Sequence, residues 1–166
     1  MSEASGADGL SGAPDSVIAA SRRPFSERPS TMVALIMMSG SVLGMAAWLQ
    51  PALEGHGTHQ QLGLRPCTFL SITGYPCPMC GATTTFALMA DLRVGDALVN
   101  QPFAVILFGI TVGVFSVSVA DLVQPRGRWT RILSWIAPYE GHLAVAFLIL
   151  MGLAWAYKIA LMSPIT

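Results

Sequence analysis

Phe103–Val119 reads FAVILFGITVGVFSVSV, an unbroken apolar run without a single charged residue. It is close to the roughly 20 residues that an α-helix needs to cross about 30 Å of hydrocarbon. Two more stretches share this character: Met32–Leu49 (MVALIMMSGSVLGMAAWL) and Leu143–Met162 (LAVAFLILMGLAWAYKIALM). The first of these is also uncharged. The second carries only Lys158, near its end, where a long side chain can snorkel to the interface. Buried core helices of a soluble protein are the alternative, but three such stretches in 166 residues would need far more chain around them. Apolar residues make up 53% of the chain and charged residues 11%, about half the charge of an average soluble domain. Lipid is the natural solvent for such a composition.

The expected fold is therefore an all-α membrane protein with three transmembrane helices, at about residues 32–50, 102–122 and 142–162. Residues 1–31 are rich in Ser, Ala, Gly and Pro and lack apolar periodicity, so they read as a disordered tail ahead of a membrane domain, 32–166. Glu3, Asp8 and Asp15, and the length of the apolar run that follows, make the first span an uncleaved anchor rather than a signal peptide. Arg22, Arg23 and Arg28 precede the first span, and Arg126, Arg128 and Arg131 follow the second. The long stretch between the first two spans holds only Arg65 and Arg93. Positive charge flanks the cytoplasmic side, so the expectation is a multi-pass protein of the cell (inner/plasma) membrane. Its N-terminus would be cytoplasmic and its cysteine region extracytoplasmic.

The formal net charge is zero, which argues against a nucleic-acid partner. The bilayer itself is the expected partner. Gly40/Gly44 and Gly109/Gly113 form Gly-x-x-x-Gly pairs, and Gly152, Ala156 and Ala160 repeat the spacing, a pattern that allows close helix approach and self-association. Trp129, Ile132, Leu133 and Ile136 recur at helical spacing among Arg126, Arg128 and Arg131. Residues 126–137 thus read as a short helix lying in the headgroup layer. Asp91, Asp96 and Asp121 sit at element boundaries, where capping is expected.

Residues 63–100 hold all three cysteines, Cys67, Cys77 and Cys80. Gly74, Pro76 and Pro78 break any helix before the pair. Pro78 suits a first helical position, so a short helix from Pro78 to about Ala90 is expected, with Met79, Ala82, Phe86 and Met89 on one side. Too short to span, it would be re-entrant or interfacial. A second helical piece runs from Gly95 to Asn100, and Pro102 opens the second span. Cys77 and Cys80 would lie at a helix N-terminus, where the dipole favours a thiolate, and Cys77 would be the more thiolate-like of the two. C-x-x-C also supplies zinc ligands and structural disulfides.

Cys67, then TGYPCPMCGAT over residues 73–83, then Asp91-Leu92, the stretch Gly95-Asp96-Ala97-Leu98, and Asn100, resemble DUF2752, a bacterial family of small membrane proteins. The resemblance runs over roughly residues 43–122 and marks Cys67, Gly74, Pro76, Cys77, Pro78, Cys80, Gly81, Thr83 and Asn100 as motif residues. Two departures stand out. Thr84 occupies the place where many members carry Arg, and Gln101 interrupts the family's Asn-Pro pair. The family implies a membrane topology and no established activity.

The reading that follows is a non-enzymatic membrane protein of unknown function with a structural cysteine cluster and no cofactor. One alternative is a thiol–disulfide protein using Cys77 and Cys80, with Cys67 as shuttle. The other is a metal-binding protein with Cys67, Cys77, Cys80 and His59 as a Cys₃His zinc centre; His56 also lies close by in sequence. Nothing in residues 2–25 can be buried, so their deletion with Arg28 retained should leave membrane insertion and yield unchanged. Membrane fractionation of the truncated chain checks this, and loss of insertion would make the tail part of the fold.

Overall fold

A computed structural model describes residues 28–162, which form an all-helical chain. The helices are α1 (Pro29–Trp48), α2 (Thr68–Thr73), α3 (Ala82–Ala90), α4 (Val94–Asn100), α5 (Pro102–Val123), α6 (Arg128–Ile136) and α7 (Glu140–Met162). Short 3₁₀ turns occupy Thr58–Leu62 and Ala137–Tyr139. The expected disordered tail falls almost wholly outside the described residues. Its last residues do not, and there Pro29 opens α1 three residues ahead of the expected start.

Three helices are long and apolar enough to cross a membrane. At 20 residues, α1 spans about 30 Å. The second is α5, opened by Pro102 as the sequence indicates. The third is α7, which continues from α6 through the 3₁₀ turn, so the helical run extends from Arg128 to Leu161. Only 17%, 17% and 11% of the residues along their apolar stretches are buried within the chain. Their remaining surface is apolar and turned outward, which suits hydrocarbon and would be untenable in water.

The main helical pair is α1 against α5. Gly40 marks their closest approach, because a Cβ there would stand 3.3 Å from the Phe115 ring. Gly44, Gly109, Gly113 and Gly152 meet nothing within 4 Å, so the Gly-x-x-x-Gly stripes serve the intramolecular fold only through Gly40. Between α1 and α5 the chain folds into a cap, in which α3 packs on α1, α4 and α5. Helix α7 touches α5 and is otherwise tied to the cap by side chains.

The segment after α5 differs in detail from an isolated headgroup helix. Asp121, 7% exposed, accepts the Trp129 backbone N–H at 3.0 Å and pairs with Arg128 Nη1 at 3.0 Å. The Trp129 indole N–H donates to Ser118 Oγ at 3.2 Å. An acceptor at the start of α6 satisfies amides that have no intrahelical partner, and Trp129 is thereby drawn onto α5. Asp96 has the surface role its position suggests, pairing with Arg93 at 2.7 Å.

Gly40→Leu should therefore lower the thermal stability of the detergent-solubilised protein by about 1–3 kcal/mol through overpacking against Phe115. Gly44→Leu should leave it nearly unchanged. Equal effects of the two substitutions would mean that α1 and α5 do not meet at Gly40.

Candidate functional site

The Cys77–Cys80 pair lies in a turn and not on a helix. The Cys80 N–H reaches the Cys77 carbonyl at 2.9 Å, and the Ala82 N–H reaches that of Met79 at 3.0 Å. Helix α3 begins only at Ala82, behind Gly81. The expected helix from Pro78 is thus shortened by four residues, for a local reason. Gly81 has φ +88, a left-handed conformation that no right-handed helix can pass through and that glycine adopts without steric cost. Its backbone is pressed against Gly55, where a Cβ would come within 2.5 Å of the Gly55 carbonyl oxygen. Two long-range bonds hold the turn in place. Gln101 Nε2 donates to the Pro78 carbonyl at 2.8 Å, and the Trp155 indole N–H donates to that of Pro76 at 2.8 Å.

Behind the turn lies a polar knot centred on Lys158. The sequence suggests a snorkelling lysine, whereas Lys158 is 4% exposed and turned into the cap. Its Nζ donates to Asn100 Oδ1 at 2.7 Å, the Asn100 carbonyl at 3.3 Å and the Gly55 carbonyl at 3.4 Å. Asn100 passes the connection on, since its Nδ2 donates to the Gly81 carbonyl at 3.2 Å and to Thr85 Oγ1 at 2.9 Å. A lysine this far from water is tolerable only when several oxygens replace its hydration. One residue further along, Gln101 is fully buried, with its Oε1 left without a partner. The Thr84 hydroxyl meets that of Thr58 at 2.8 Å, so the position where the family resemblance leads one to expect Arg is closed by two threonines.

The three thiols line one open cavity of about 210 Å³, together with His59, Met79, Thr83 and Thr84. Their environments differ. Cys67 is the N-cap residue of α2, and the nearby Leu70 backbone N–H holds its pKa below the ordinary thiol value, although slight burial works the other way. The Cys77 and Cys67 thiols are neighbours, and each shifts the pKa of the other. Burial pushes the Cys77 pKa up, and the neighbouring Cys67 sulfur adds to the rise. Burial likewise raises Cys80, to about 11, with the other two sulfurs adding to the rise and Lys158 opposing it. The lowering expected at Cys77 is thus absent, because without a helix start at Pro78 it has burial and no helix dipole. Cys80 is pushed up strongly, to about 11, and the lowered pKa belongs to Cys67.

His59 lies on the wall of the same cavity, with Nε2 at 3.2 Å from the Arg65 carbonyl. That contact fixes Nε2 as the protonated nitrogen, because a carbonyl can only accept. His56 bonds the Glu54 carbonyl at 2.9 Å. Among the described residues no group of three His, Cys, Asp or Glu side chains is arranged to hold a metal ion. The motif residues Cys67, Cys77, Cys80, Gly81 and Thr83 meet at the cavity, and Asn100 stands directly behind it. Gly74 has a different part, closing α2 at φ +73. Sequence reasoning missed Lys158, Gln101, Trp155 and Thr58. A single lysine in an otherwise uncharged apolar run was the one available signal.

Asn100→Ala should cost about 2–3 kcal/mol, the scale of hydrogen bonds to a charged group, and should loosen α7 from the cap. Thermal unfolding in detergent, with proteolysis of the residues 50–100 stretch as the local readout, checks both effects. An Asn100→Ala protein as stable as the parent would mean that the knot does not hold the cap.

No curated protein and no solved structure matches this chain. Residues 67–115, from Cys67 through the thiol turn and well into α5, match the family model described as "Protein of unknown function (DUF2752)", so this segment carries the family, with His59, Trp155 and Lys158 outside it.

Proposed function

We propose that the protein resides in the cell membrane and uses Cys67 and Cys77 as a dithiol–disulfide pair on an extracytoplasmic cap. The observation that supports this reading is the placing of the Cys67 and Cys77 thiols as neighbours on the wall of one open cavity. The active pair is then not the C-x-x-C pair. Cys67 has the lowered pKa and Cys77 is held against it, which are the attributes of an attacking thiol and its resolving partner. In exchange with a partner's dithiol, a partner thiolate attacks the Cys67 sulfur of the closed pair and displaces Cys77 as a thiolate. The partner's second thiolate then attacks the partner sulfur of the mixed disulfide, closing the partner's own disulfide and releasing Cys67 as a thiolate. The protons of the partner's two thiols end on Cys67 and Cys77, and an oxidant must close the pair again. Buried and with a raised pKa, Cys80 stays outside the exchange.

A structural clasp is a second reading with its own support. Residues 68–75 make mainly local hydrogen bonds, so a Cys67–Cys77 disulfide would be their firmest tie to the motif turn. Closing a loop of that length is worth about 3 kcal/mol. The two readings differ in reduction potential, since structural disulfides resist the glutathione pool and exchanging ones do not. Mass-shift thiol counting in native membranes should find one free thiol, Cys80, without reductant and three with it. Mild reduction by a glutathione buffer should suffice. Three free thiols in untreated membranes would overturn both readings, and thiols released by chelator alone would indicate a metal centre.

After reduction, Cys67 should alkylate fastest and keep reacting below the ordinary thiol pKa, because a lowered pKa leaves thiolate present there. Cys80 should react appreciably only as pH approaches 11. Site-resolved labelling rates against pH check the order, and a faster Cys77 would refute the assignment of the attacking thiol. The Arg distribution places the C-terminus outside. A reporter fused after Thr166 should then work only if it is one that functions outside the cytoplasm.

A further inference from the structure

The thiol cavity shares a wall with a second cavity of different character. An apolar groove of about 290 Å³ opens between α1, α3 and α5. Val42, Met45 and Ala46 of α1, Leu49 just after it, Phe86 of α3 and Leu107 of α5 line it. Met79 and Thr83 line this groove and the thiol cavity alike. The Met79 side chain is unbranched and 45% exposed, and such a thioether can swing aside where a branched residue could not.

The groove lies between two helices long and apolar enough to cross a membrane, so its occupant arrives through lipid. Apart from the Thr83 hydroxyl it offers no hydroxyl, amide or charge, which excludes a water-borne polar ligand. Its inner end, however, stops at the residues that wall off the dithiol. An occupant suited to both ends is an apolar molecule whose flat, reactive head packs against the Met79 sulfur and accepts a hydrogen bond from Thr83.

We propose that this groove binds the ring of a lipid-soluble quinone and that the Cys67–Cys77 dithiol reduces it. The inference rests on the dithiol reading above and names its oxidant. One thiolate of the pair adds to a ring carbon, forming a C–S bond. The second thiolate attacks that sulfur, the S–S bond forms, and the C–S bond breaks with its electron pair passing to the ring. The resulting hydroquinone takes up the two protons lost by the thiols. Two thiols and one quinone thus give one disulfide and one hydroquinone. Thr83 would act as a positioning residue on the quinone carbonyl.

The test uses the full chain in nanodiscs, reduced, freed of reductant and kept anaerobic. One equivalent of a short-tailed ubiquinone analogue is added, or, in a parallel arm, the water-soluble oxidant diamide. Loss of two alkylatable thiols and formation of one quinol per chain are the expected result. Val42→Trp and Met45→Trp, each filling the groove from a half-exposed position, should slow the quinone reaction about tenfold or more and leave closure by diamide unchanged. If diamide closes the disulfide while the quinone consumes no thiols, or if both tryptophan variants react with quinone at the parental rate, the groove holds only lipid and the proposal falls. If diamide fails to link Cys67 with Cys77, the dithiol reading falls and takes the proposal with it.

Discussion

The Lys158 amine lies in an apolar helix with almost no access to water, and its need for oxygen partners organises everything above it. Three oxygens answer that need, two from Asn100 and one from Gly55. Because Asn100 spends its acceptor on Lys158, its amide hydrogens are directed to Gly81 and Thr85. A single buried side chain therefore gathers the loop after α1, the thiol turn, α3, the end of α4 and α7. Such a network is worth most where the dielectric is low and every member is satisfied. It also explains the two tightest glycines. A Cβ at Gly55 would come within 2.5 Å of Asn100 Oδ1, and one at Gly81 would come as close to the Gly55 carbonyl.

The position of the thiols follows from this knot. Pro76 and Pro78 have no backbone N–H to donate, and their carbonyls are taken by Trp155 and Gln101. The turn is thereby held from behind, with its sulfurs facing the cavity. Three thiols close in sequence are then differentiated by their surroundings alone. Cys67 is little buried beside the Leu70 amide, Cys77 is more buried and has a neighbouring sulfur, and Cys80 is buried on the side of the lysine. On the quinone proposal, the apolar groove beyond Met79 and Thr83 would be the route of the oxidant from the bilayer.

The reach of the family match fits this division of labour. It begins at Cys67 and ends inside α5, so it contains the thiols, Asn100 and Gln101, while the lysine and tryptophan that brace them come from α7. In this chain the brace is therefore supplied by a different helix from the one that carries the motif.

The sequence by itself determined the three long helices, their approximate bounds, the Pro102 start of α5, two short helices of the cap, α3 and α4, and the resemblance that residues 67–115 bear out; it did not show α2. Hydrophobic runs and helix-opening prolines act locally, and local signals survive in a one-dimensional reading. It also located the thiols and the role of Asp121 at a helix boundary. What only the tertiary structure decided was how the three thiols are surrounded, where α3 begins and what Lys158 does. Gly81 turns left-handed because Gly55, distant in sequence, lies against it, and that single residue moves the helix start past both Cys77 and Cys80. Lys158 points inward because Asn100 and Gly55 are there to receive it, and nothing in the apolar run around it reveals those partners. Residues paired across 58 and 103 positions meet only when the chain has folded, and on those meetings the chemistry of the site depends.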